Sequence, residues 1–386
     1  MAAASLTESL ETRDDEKLRE ILSVALRAEI GPVRIEQTAG ERFTGGKSTP
    51  VWKLYFSATR GNKNKDTQLV VKWVRPSASF RQLSYANERQ FYLAAAPLVR
   101  KNCRMPHMLL SEVSPSSLCF LFDDLSLDFP LHPECLDEPA LHGALRWLAR
   151  FHARFWEADA AGSSFPAGMW DSGDYWGLAR QENTERLTNV PGCLNASSKV
   201  LKTHGVWDLA KTLGPRLATA AKPLDAALRK TKGFVKFRTL MHGDFKAANM
   251  FLREGENGSF EAAVVDFEFA GPGLAAVDLA NFFFPDLRMN LLDVEKELLS
   301  FYHAALLLQL DELGVGTDFS VQLLEVHYAA ARCDYMRYML GRGWTACSAG
   351  DAQLLAAVDA DMRLFDAGEL VSEAAYETAI AAAFRG

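Results

Sequence analysis

The first third of the chain alternates short apolar runs with polar turns. Five runs are rich in aromatic and β-branched residues, which predicts strands. They cover residues 34–43, 51–58, 68–74, 108–113 and 118–122. The polar, basic stretch 59–66 predicts a hairpin loop, and residues 114–117 predict a second hairpin turn.

Helical spacing appears twice among these runs. Residues 18–28 have a short amphipathic pattern, and in 84–99 one side of a helix would carry Tyr85, Phe91, Tyr92 and Leu93. The order is therefore helix, three strands, helix and two strands. This order predicts an α+β lobe with an antiparallel five-stranded sheet and one helix packed in it.

Longer helical periods replace this pattern after residue 124. Residues 139–158 predict a helix, because leucine and phenylalanine recur at steps of three and four. A looser stretch, 162–198, is followed by predicted helices and short strands. The helices cover 206–213, 223–230 and several segments after 286, and the strands cover 239–241, 250–252 and 263–265.

We therefore expect a two-lobed α+β chain whose pattern switches near residues 124–131. A helical extension would cover 1–29, and a first lobe would cover 30–125. A larger and mainly helical lobe would cover 126–386.

Composition narrows the class of function. The chain has 386 residues, 48% hydrophobic and 24% charged, with a formal net charge of −7, which is ordinary for a globular protein. Without a basic excess we expect no nucleic-acid partner and no membrane partner. The mild acidic excess is compatible with a cationic substrate.

The cysteines, the N-terminal segment and the length of the apolar runs indicate the cellular compartment. The six cysteines form no Cys-x-x-Cys pair, so we expect free thiols rather than a disulfide scaffold or a zinc site. Residues 1–20 lack the basic and apolar regions of a signal peptide. No apolar run reaches 18 residues. We expect a cytoplasmic protein.

A polar segment between two short apolar runs has the spacing H-x-D-x-x-x-x-N, made by His242, Asp244 and Asn249. Asp244 would accept the proton of a substrate hydroxyl, and Asn249 would bind Mg²⁺ through its side-chain oxygen. His242 would fix the loop. For this triplet alone, the alternative is a polar turn.

Charged residues beside this segment add to the pattern. Asp266 follows an apolar run and would chelate Mg²⁺, the alternative being a residue that caps a turn. Glu268 is either a second metal ligand or a surface residue. Lys246 either stabilises the transferring phosphoryl group or is a solvated loop lysine.

The first lobe offers candidates for holding phosphates. Lys72 lies in an apolar strand and needs a partner, for which Glu88 on the next helix is suited, although either residue alone is commonly a surface charge. Gly45, Gly46 and Ser48 lie in a loop whose backbone N–H groups could cradle phosphate. That loop lacks G-x-G-x-x-G and Walker A spacing, so a plain hairpin turn is the alternative.

Together these residues resemble the aminoglycoside phosphotransferase and choline kinase-like superfamily over roughly 40–284. His242-Gly243-Asp244 with Asn249 is similar to its catalytic loop. Residues 266–269 resemble the D-F-E-Y run of choline and ethanolamine kinases, and 278–281 resemble their D-x-x-N. The stretches 87–92, 122–126 and 148–153 are similar to ecdysteroid kinase-like relatives.

The resemblance implies a protein-kinase-like fold with ATP, Mg²⁺ and a small-molecule hydroxyl acceptor bound in the helical lobe. It places Phe122 and Asp123 at the hinge that contacts adenine, and Asp278 as a brace of the catalytic loop. Two positions depart from the pattern. Thr49 stands where relatives often carry asparagine, and Lys246 is unusual for small-molecule kinases.

The acceptor stays open among choline or ethanolamine, a steroid-like alcohol, and an aminoglycoside or sugar. Aromatic residues could form a cage for a cation or belong to the core, and aspartates could bind an amine or be solvated. These candidates are Trp170, Tyr175, Trp176, Tyr335, Tyr338 and Trp344, with Asp171, Asp174 and Asp334.

Three other functions are weighed. Lys246 favours a protein serine/threonine kinase, but no A-P-E sequence follows Asp266. A catalytically inactive kinase-fold binding module is not favoured, because Lys72, Asp244, Asn249 and Asp266 are intact. A serine or cysteine hydrolase is disfavoured, because G-x-S-x-G does not occur. The sequence predicts no oligomeric state.

Overall fold

The computed structural model describes residues 5–38, 51–75, 79–114, 117–158, 165–229, 236–287 and 294–385. The chain divides into two compact units. The first, here called the sheet unit, contains Met1–Leu136 and Ala247–Glu268. The second, here called the helical unit, contains Asp137–Lys246 and Phe269–Gly386.

The sheet unit is built on an antiparallel sheet. Its strands are β1 (Glu29–Ile30), β2 (Arg34–Thr38), β3 (Val51–Arg60), β4 (Lys63–Val74), β5 (Met108–Val113) and β6 (Leu118–Asp123). Their order is β1-β3-β4-β6-β5, and β2 pairs with a second part of β3. The predicted α+β class is confirmed, but the sheet has six strands rather than five, because the two-residue β1 pairs with the end of β3.

The loop predicted at 59–66 is shorter than expected. β3 and β4 continue until Arg60 and Lys63 face each other, so Gly61 and Asn62 form the turn. Gly61 has a φ of +60°, which glycine adopts without steric cost. The polar composition of these exposed strand ends concealed their pairing, because strand propensity depends strongly on cross-strand context.

One face of the sheet packs against helices α1 (Leu6–Thr12) and α2 (Asp15–Leu26). The core on this face combines leucines of both helices with inward residues of the strands. They are Leu6, Leu10, Leu18, Leu22, Leu54, Phe56, Leu69, Val71, Trp73, Cys119 and Leu121. Because side chains alternate along a strand, Val70 and Lys72 point to the opposite face.

A helical segment follows β4 in the chain. It consists of α3 (Ser79–Gln90), a π-helical turn (Phe91–Ala95) and α4 (Ala96–Val99). The helix predicted at 84–99 is confirmed and begins earlier. Single π-turns inside α-helices occur often at functional sites, and this one presents the rings of Phe91 and Tyr92 to the interior.

The sheet unit also contains a hairpin from much later in the chain. Its strands are β8 (Met250–Glu254) and β9 (Phe260–Val264). Leu252 bridges to Leu131, and Ala263 bridges to Arg104. Because of these pairings the compact units do not coincide with the division predicted after residue 125.

The helical unit consists mainly of helices with one short pair of strands. The helices are α5 (Glu138–Arg154), α6 (Gln181–Glu185), α7 (Ser198–Thr203), α8 (Trp207–Leu228), α9 (Ala276–Leu287), α10 (Glu295–Glu312), α11 (Val321–Gly341), α12 (Ala349–Asp366) and α13 (Glu373–Ala383). The strands β7 (Arg238–Met241) and β10 (Gly271–Leu274) pair antiparallel. Within the described residues, no helix is both long and apolar enough to cross a membrane.

The helix predicted at 139–158 and those predicted after 286 are confirmed. The two helices predicted at 206–213 and 223–230 are instead one helix, α8, which continues through Pro215 and Pro223. A proline inside a helix costs about 3 kcal/mol. Burial of a leucine-rich face along α8 offsets that cost.

Candidate active site

A pocket of about 750 Å³, including the solvent at its mouth, lies on the face of the sheet opposite α1 and α2. Its apolar lining includes Val51, Val70, Leu125, Phe251 and Val265. Polar side chains gather at both ends of the pocket.

Lys72 lies at one end and makes two ion pairs. Its Nζ donates to both carboxylate oxygens of Glu88 at 2.9 and 2.8 Å, and to Asp266 Oδ1 at 2.6 Å. The predicted pairing of Lys72 with Glu88 is confirmed. Burial alone would lower the pKa of Lys72, but Asp266 and Glu88 outweigh it and hold this pKa well above its ordinary value. Lys72 is therefore an ammonium at physiological pH.

The carboxylate of Glu88 is fully enclosed. Burial raises its pKa to about 7, while the Lys72 ammonium opposes that shift. Strongly shifted pKa values of buried, charge-paired groups are typical of functional sites.

Asp266 and Asn249 are brought together by the β8–β9 hairpin. Met250 faces Val264 across it, and the Val265 N–H donates to the Asn249 carbonyl at 3.0 Å. Asp266 has a φ of +71°, a conformation that is costly for a non-glycine residue and often marks functional sites. Carboxylate and amide oxygens are the donors that Mg²⁺ prefers, so this pair fits the predicted metal.

The donor set is small. Among the described residues, no group of three or more His, Cys, Asp and Glu side chains is arranged to hold a metal, and Asn249 is not of these residue types. Mg²⁺ in phosphotransfer sites takes one or two carboxylates, with waters and phosphate oxygens completing its shell.

Glu268 is buried, so its interpretation as a surface residue is wrong. Ser84 Oγ of α3 donates to Glu268 Oε2 at 2.8 Å, and Asn87 Nδ2 donates to the Glu268 carbonyl at 3.1 Å. Burial and the neighbouring Asp266 raise the pKa of Glu268 to about 8, against the opposing effect of Lys72. The side chain is directed to α3.

The residues predicted at the hinge, Phe122 and Asp123, end β6 and line the pocket. Phe122 lines the pocket and packs against Tyr92 with a centroid distance of 4.8 Å. The Asp123 carboxylate accepts hydrogen bonds from Arg104 at 2.8 Å and from the His107 N–H at 2.6 Å. The phosphate-loop candidates Gly45, Gly46 and Ser48 lie outside the described residues.

Sequence reasoning missed a second lysine in this pocket. Lys53 forms an ion pair with buried Asp124 at 2.8 Å and donates to Ser126 Oγ at 3.1 Å. Lys53 and Val51 are two positions apart on β3, so their side chains point to the same face of the sheet. This alternation was the sequence feature that could have predicted Lys53 in the pocket. Nothing in the local sequence pointed to Asp124 as its partner.

The segment that follows β7 in the helical unit is braced by Asp278. The N–H groups of His242 and Gly243 donate to its carboxylate at 2.7 and 2.8 Å. His152 Nε2 is 3.1 Å from the same carboxylate. Gly243 has a φ of +83°, and a Cβ there would meet the Phe269 carbonyl oxygen at 2.1 Å. Only glycine fits this position.

Asp244 projects from this braced segment and is 5% exposed. Its Oδ2 accepts from Lys246 Nζ at 2.8 Å, and Asn281 Nδ2 lies 3.4 Å from Oδ1. The Asp244 N–H is 3.2 Å from His242 Nδ1. The carboxylate is thus contacted on both oxygens, and its backbone is tied to His242.

Aromatic side chains continue outward from Asn281. Tyr175 donates to Asn281 Oδ1 at 3.3 Å, and its hydroxyl lies 3.0 Å from that of Tyr335. The rings of Tyr338 and Tyr175 pack edge to face with their centroids 5.5 Å apart. Burial raises the pKa of Tyr335 above its ordinary value, a hydrogen bond with Tyr175 opposes this, and Asp244 adds to it. The hydroxyl therefore stays neutral.

The remaining aromatic candidates differ in exposure. Trp176 and Trp344 are buried. Trp170 is half-buried and carries the Arg180 guanidinium over its ring at 3.6 Å. A face already covered by a guanidinium is not available to a second cation.

Two of the aspartates considered for amine binding lie in buried ion pairs. Asp174 pairs with Arg229 at 2.5 Å, and Asp334 pairs with Arg229 and Arg337, both at 2.7 Å. These residues are almost completely buried. Asp171, in contrast, is exposed.

The predicted residues therefore form one cluster in each unit. Those of the sheet unit are Lys72, Glu88, Phe122, Asp123, Asn249, Asp266 and Glu268. Those of the helical unit are His242, Asp244, Lys246 and Asp278.

A family model matches residues 48–315 of the chain, more than half of its length. The model describes the ecdysteroid kinase-like family. The matched range contains every described residue of both clusters, and the match confirms the resemblance inferred from the motifs. No curated protein sequence matches the chain.

Several solved structures are similar at low identity. A microcompartment-associated aminopropanol kinase is 12% identical with a TM-score of 0.49, covering 91% of this chain and 99% of its own. An aminoglycoside phosphotransferase from Alicyclobacillus acidocaldarius is 12% identical with a TM-score of 0.43, covering 91% of each chain. An ethanolamine kinase from Plasmodium vivax is 13% identical with a TM-score of 0.40, covering 87% and 83%. Similarity at this level does not establish a shared substrate.

Proposed function

The chain belongs to the ecdysteroid kinase-like family, and from this premise we propose that it transfers the γ-phosphate of ATP to a hydroxyl group of a small molecule. The observation that carries the proposal is Lys72, held by both Glu88 and Asp266 in a pocket with an apolar lining. A planar base would lie against this apolar lining. The phosphates then lie at the lysine end.

The sheet unit supplies the nucleotide and metal sites in this proposal. Phe122 and Asp123 would border the adenine, and the Lys72 ammonium would bind the α- and β-phosphates. Asn249 and Asp266 would hold Mg²⁺. When bound, Mg²⁺ neutralises charge on the phosphate oxygens.

The helical unit supplies the base. Asp244 accepts the proton of the acceptor hydroxyl while the oxygen of that hydroxyl forms a bond to the γ-phosphorus. The bond from that phosphorus to the β-phosphate oxygen breaks, and ADP leaves. Lys246, which already pairs with Asp244, would stabilise charge on the transferring group. His242 and Asp278 hold the segment in place through the contacts described above.

We further propose that the acceptor is an uncharged alcohol with an apolar body, as the ecdysteroids of the family description are. The support is the tyrosine cluster of Tyr175, Tyr335 and Tyr338, which lies beside Asn281 and carries neutral hydroxyls. An amino-alcohol needs a carboxylate or an open aromatic face. Asp174 and Asp334 are engaged by arginines, and Arg180 covers Trp170.

An ADP-release screen tests both proposals. The acceptors are hydroxylated sterols, choline, ethanolamine, aminoglycosides, sugars and a generic peptide panel, each supplied with Mg-ATP. We expect stimulation by sterols, and loss of that stimulation in Asp244→Ala with Mg-ATP binding retained. Normal turnover in Asp244→Ala would overturn the assignment of the base. Stimulation by choline alone would overturn the acceptor class, and stimulation by peptides alone would favour a protein kinase.

A further inference from the structure

The segment Asp266–Glu268 is anchored to the helical segment that contains α3 and the π-helical turn. Phe267 stacks on Phe91 with centroids 3.9 Å apart and planes at 6°. Ser84 binds the Glu268 side chain, and Asn87 binds its backbone. One stretch of helix thus contacts two consecutive residues after Asp266, in addition to the Lys72–Glu88 pair.

Asp266 needs such support because of its backbone. A φ of +71° places an aspartate in the left-handed region, at a cost of about 1–3 kcal/mol that surrounding structure must offset. Phe267 is fully buried, and Glu268 is 8% exposed. Fixing Phe267 on the π-helical turn and Glu268 on α3 restricts the backbone that leads to Asp266.

A metal ligand would be expected to present its oxygens to the metal site. The Glu268 carboxylate instead accepts a hydrogen bond from a buried serine of α3, 184 positions away in the sequence. Ser84 is itself fully buried. The contact is therefore built into the interior of the sheet unit.

We infer that Glu268 is a positioning residue, which acts through Ser84 to hold Asp266 in the geometry that binds the Mg²⁺-nucleotide. This inference rests on the proposed function, in which Asp266 is a metal ligand. It gives Glu268 a role in the same reaction that differs from the ligand role predicted from the sequence.

The two roles predict opposite results for a conservative change. In Glu268→Gln the amide oxygen can still accept from Ser84, so a positioning role is largely retained. A metal ligand would lose its negative charge and much of its affinity for Mg²⁺. Ser84→Ala removes the hydrogen bond without touching any predicted ligand.

Mg²⁺-dependent ATP binding, measured by calorimetry on the intact chain, tests the inference without requiring an acceptor. Ser84→Ala and Glu268→Ala should each weaken binding about threefold to tenfold, the usual effect of one lost hydrogen bond. The double variant should be no weaker than Glu268→Ala, because both changes remove the same contact. Glu268→Gln should bind within about twofold of the unchanged protein.

Ser9→Ala is the matched control, because Ser9 is equally buried in the same unit and lies in α1. It should leave ATP binding unchanged. Normal binding by Ser84→Ala, or loss in Glu268→Gln as large as in Asp266→Asn, would overturn the positioning role while the proposed function stands. No Mg²⁺-dependent ATP binding by the unchanged protein would overturn both. If Glu268→Ala fails to fold, Ser84→Ala and Glu268→Gln still decide the question.

Discussion

Replacing Gly243 by alanine should displace the segment that carries Asp244. The added Cβ would lie 2.1 Å from the carbonyl oxygen of Phe269 and 2.8 Å from the amide nitrogen of Asp174. Both are backbone atoms, so no side-chain rotation relieves the contacts. The φ of +83° adds conformational strain for any residue with a Cβ.

The size of the effect follows from these two terms. The left-handed conformation costs alanine about 1–2 kcal/mol, and overpacking of a filled interior costs about 1–3 kcal/mol more. The free energy of unfolding of the helical unit should fall by the sum, about 2–5 kcal/mol. Gly205→Ala is the matched control, because Gly205 has a φ of +71° with nothing within 4 Å of its added Cβ. Only the conformational cost applies there.

Thermal unfolding monitored by circular dichroism measures the difference. At roughly 2–4 °C per kcal/mol for a unit of this size, Gly243→Ala should melt about 2–12 °C below Gly205→Ala. Phosphoryl transfer should be lost in the first variant and retained in the second. Equal melting temperatures for the two variants would show that the Phe269 oxygen imposes no constraint, and the reasoning would be wrong.

Two further predictions concern buried charge. Lys72→Met leaves the buried Glu88 and half-buried Asp266 carboxylates without their ammonium, so it should cost about 3–5 kcal/mol of stability and remove Mg-ATP binding in a calorimetric titration. Lys65→Met on the exposed part of the same strand should do neither. Burial lowers the pKa of His327 to about 3, so the unfolded chain binds a proton near pH 6.5 that the folded chain does not. Stability should therefore fall below that pH, by about 2 kcal/mol at pH 5, and melting curves of His327→Leu should lack this dependence.

Local signals in the sequence were enough to predict much of the sheet unit. Strands β3 to β6 carry aromatic and β-branched runs, and the alternation of Val70, Val71 and Lys72 places the lysine on one face. Glu88 lies on the next helix, so its pairing with Lys72 needed no distant information. The roles of these residues toward a nucleotide stay predictions.

The remainder depends on contacts between distant parts of the chain. Lys53 meets Asp124 across 71 positions, and Ser84 meets Glu268 across 184. The continuation of α8 through two prolines depends on burial against helices that follow later in the sequence. Local propensity does not predict these contacts or the continuous helix α8, because tertiary packing overrides local preferences.

The same distinction explains why the reaction class is easier to infer than the acceptor. The groups assigned to phosphoryl transfer lie in short segments whose spacing is fixed locally, as between His242 and Asn249. Tyr175 and Tyr335, which we propose for the acceptor site, instead follow Asp174 and Asp334 in the sequence, and both aspartates pair with Arg229. Removing one partner of a buried ion pair is costly, so this network holds the two tyrosines at one separation. Acceptor specificity should therefore respond to changes at Arg229, a residue that belongs to no catalytic motif.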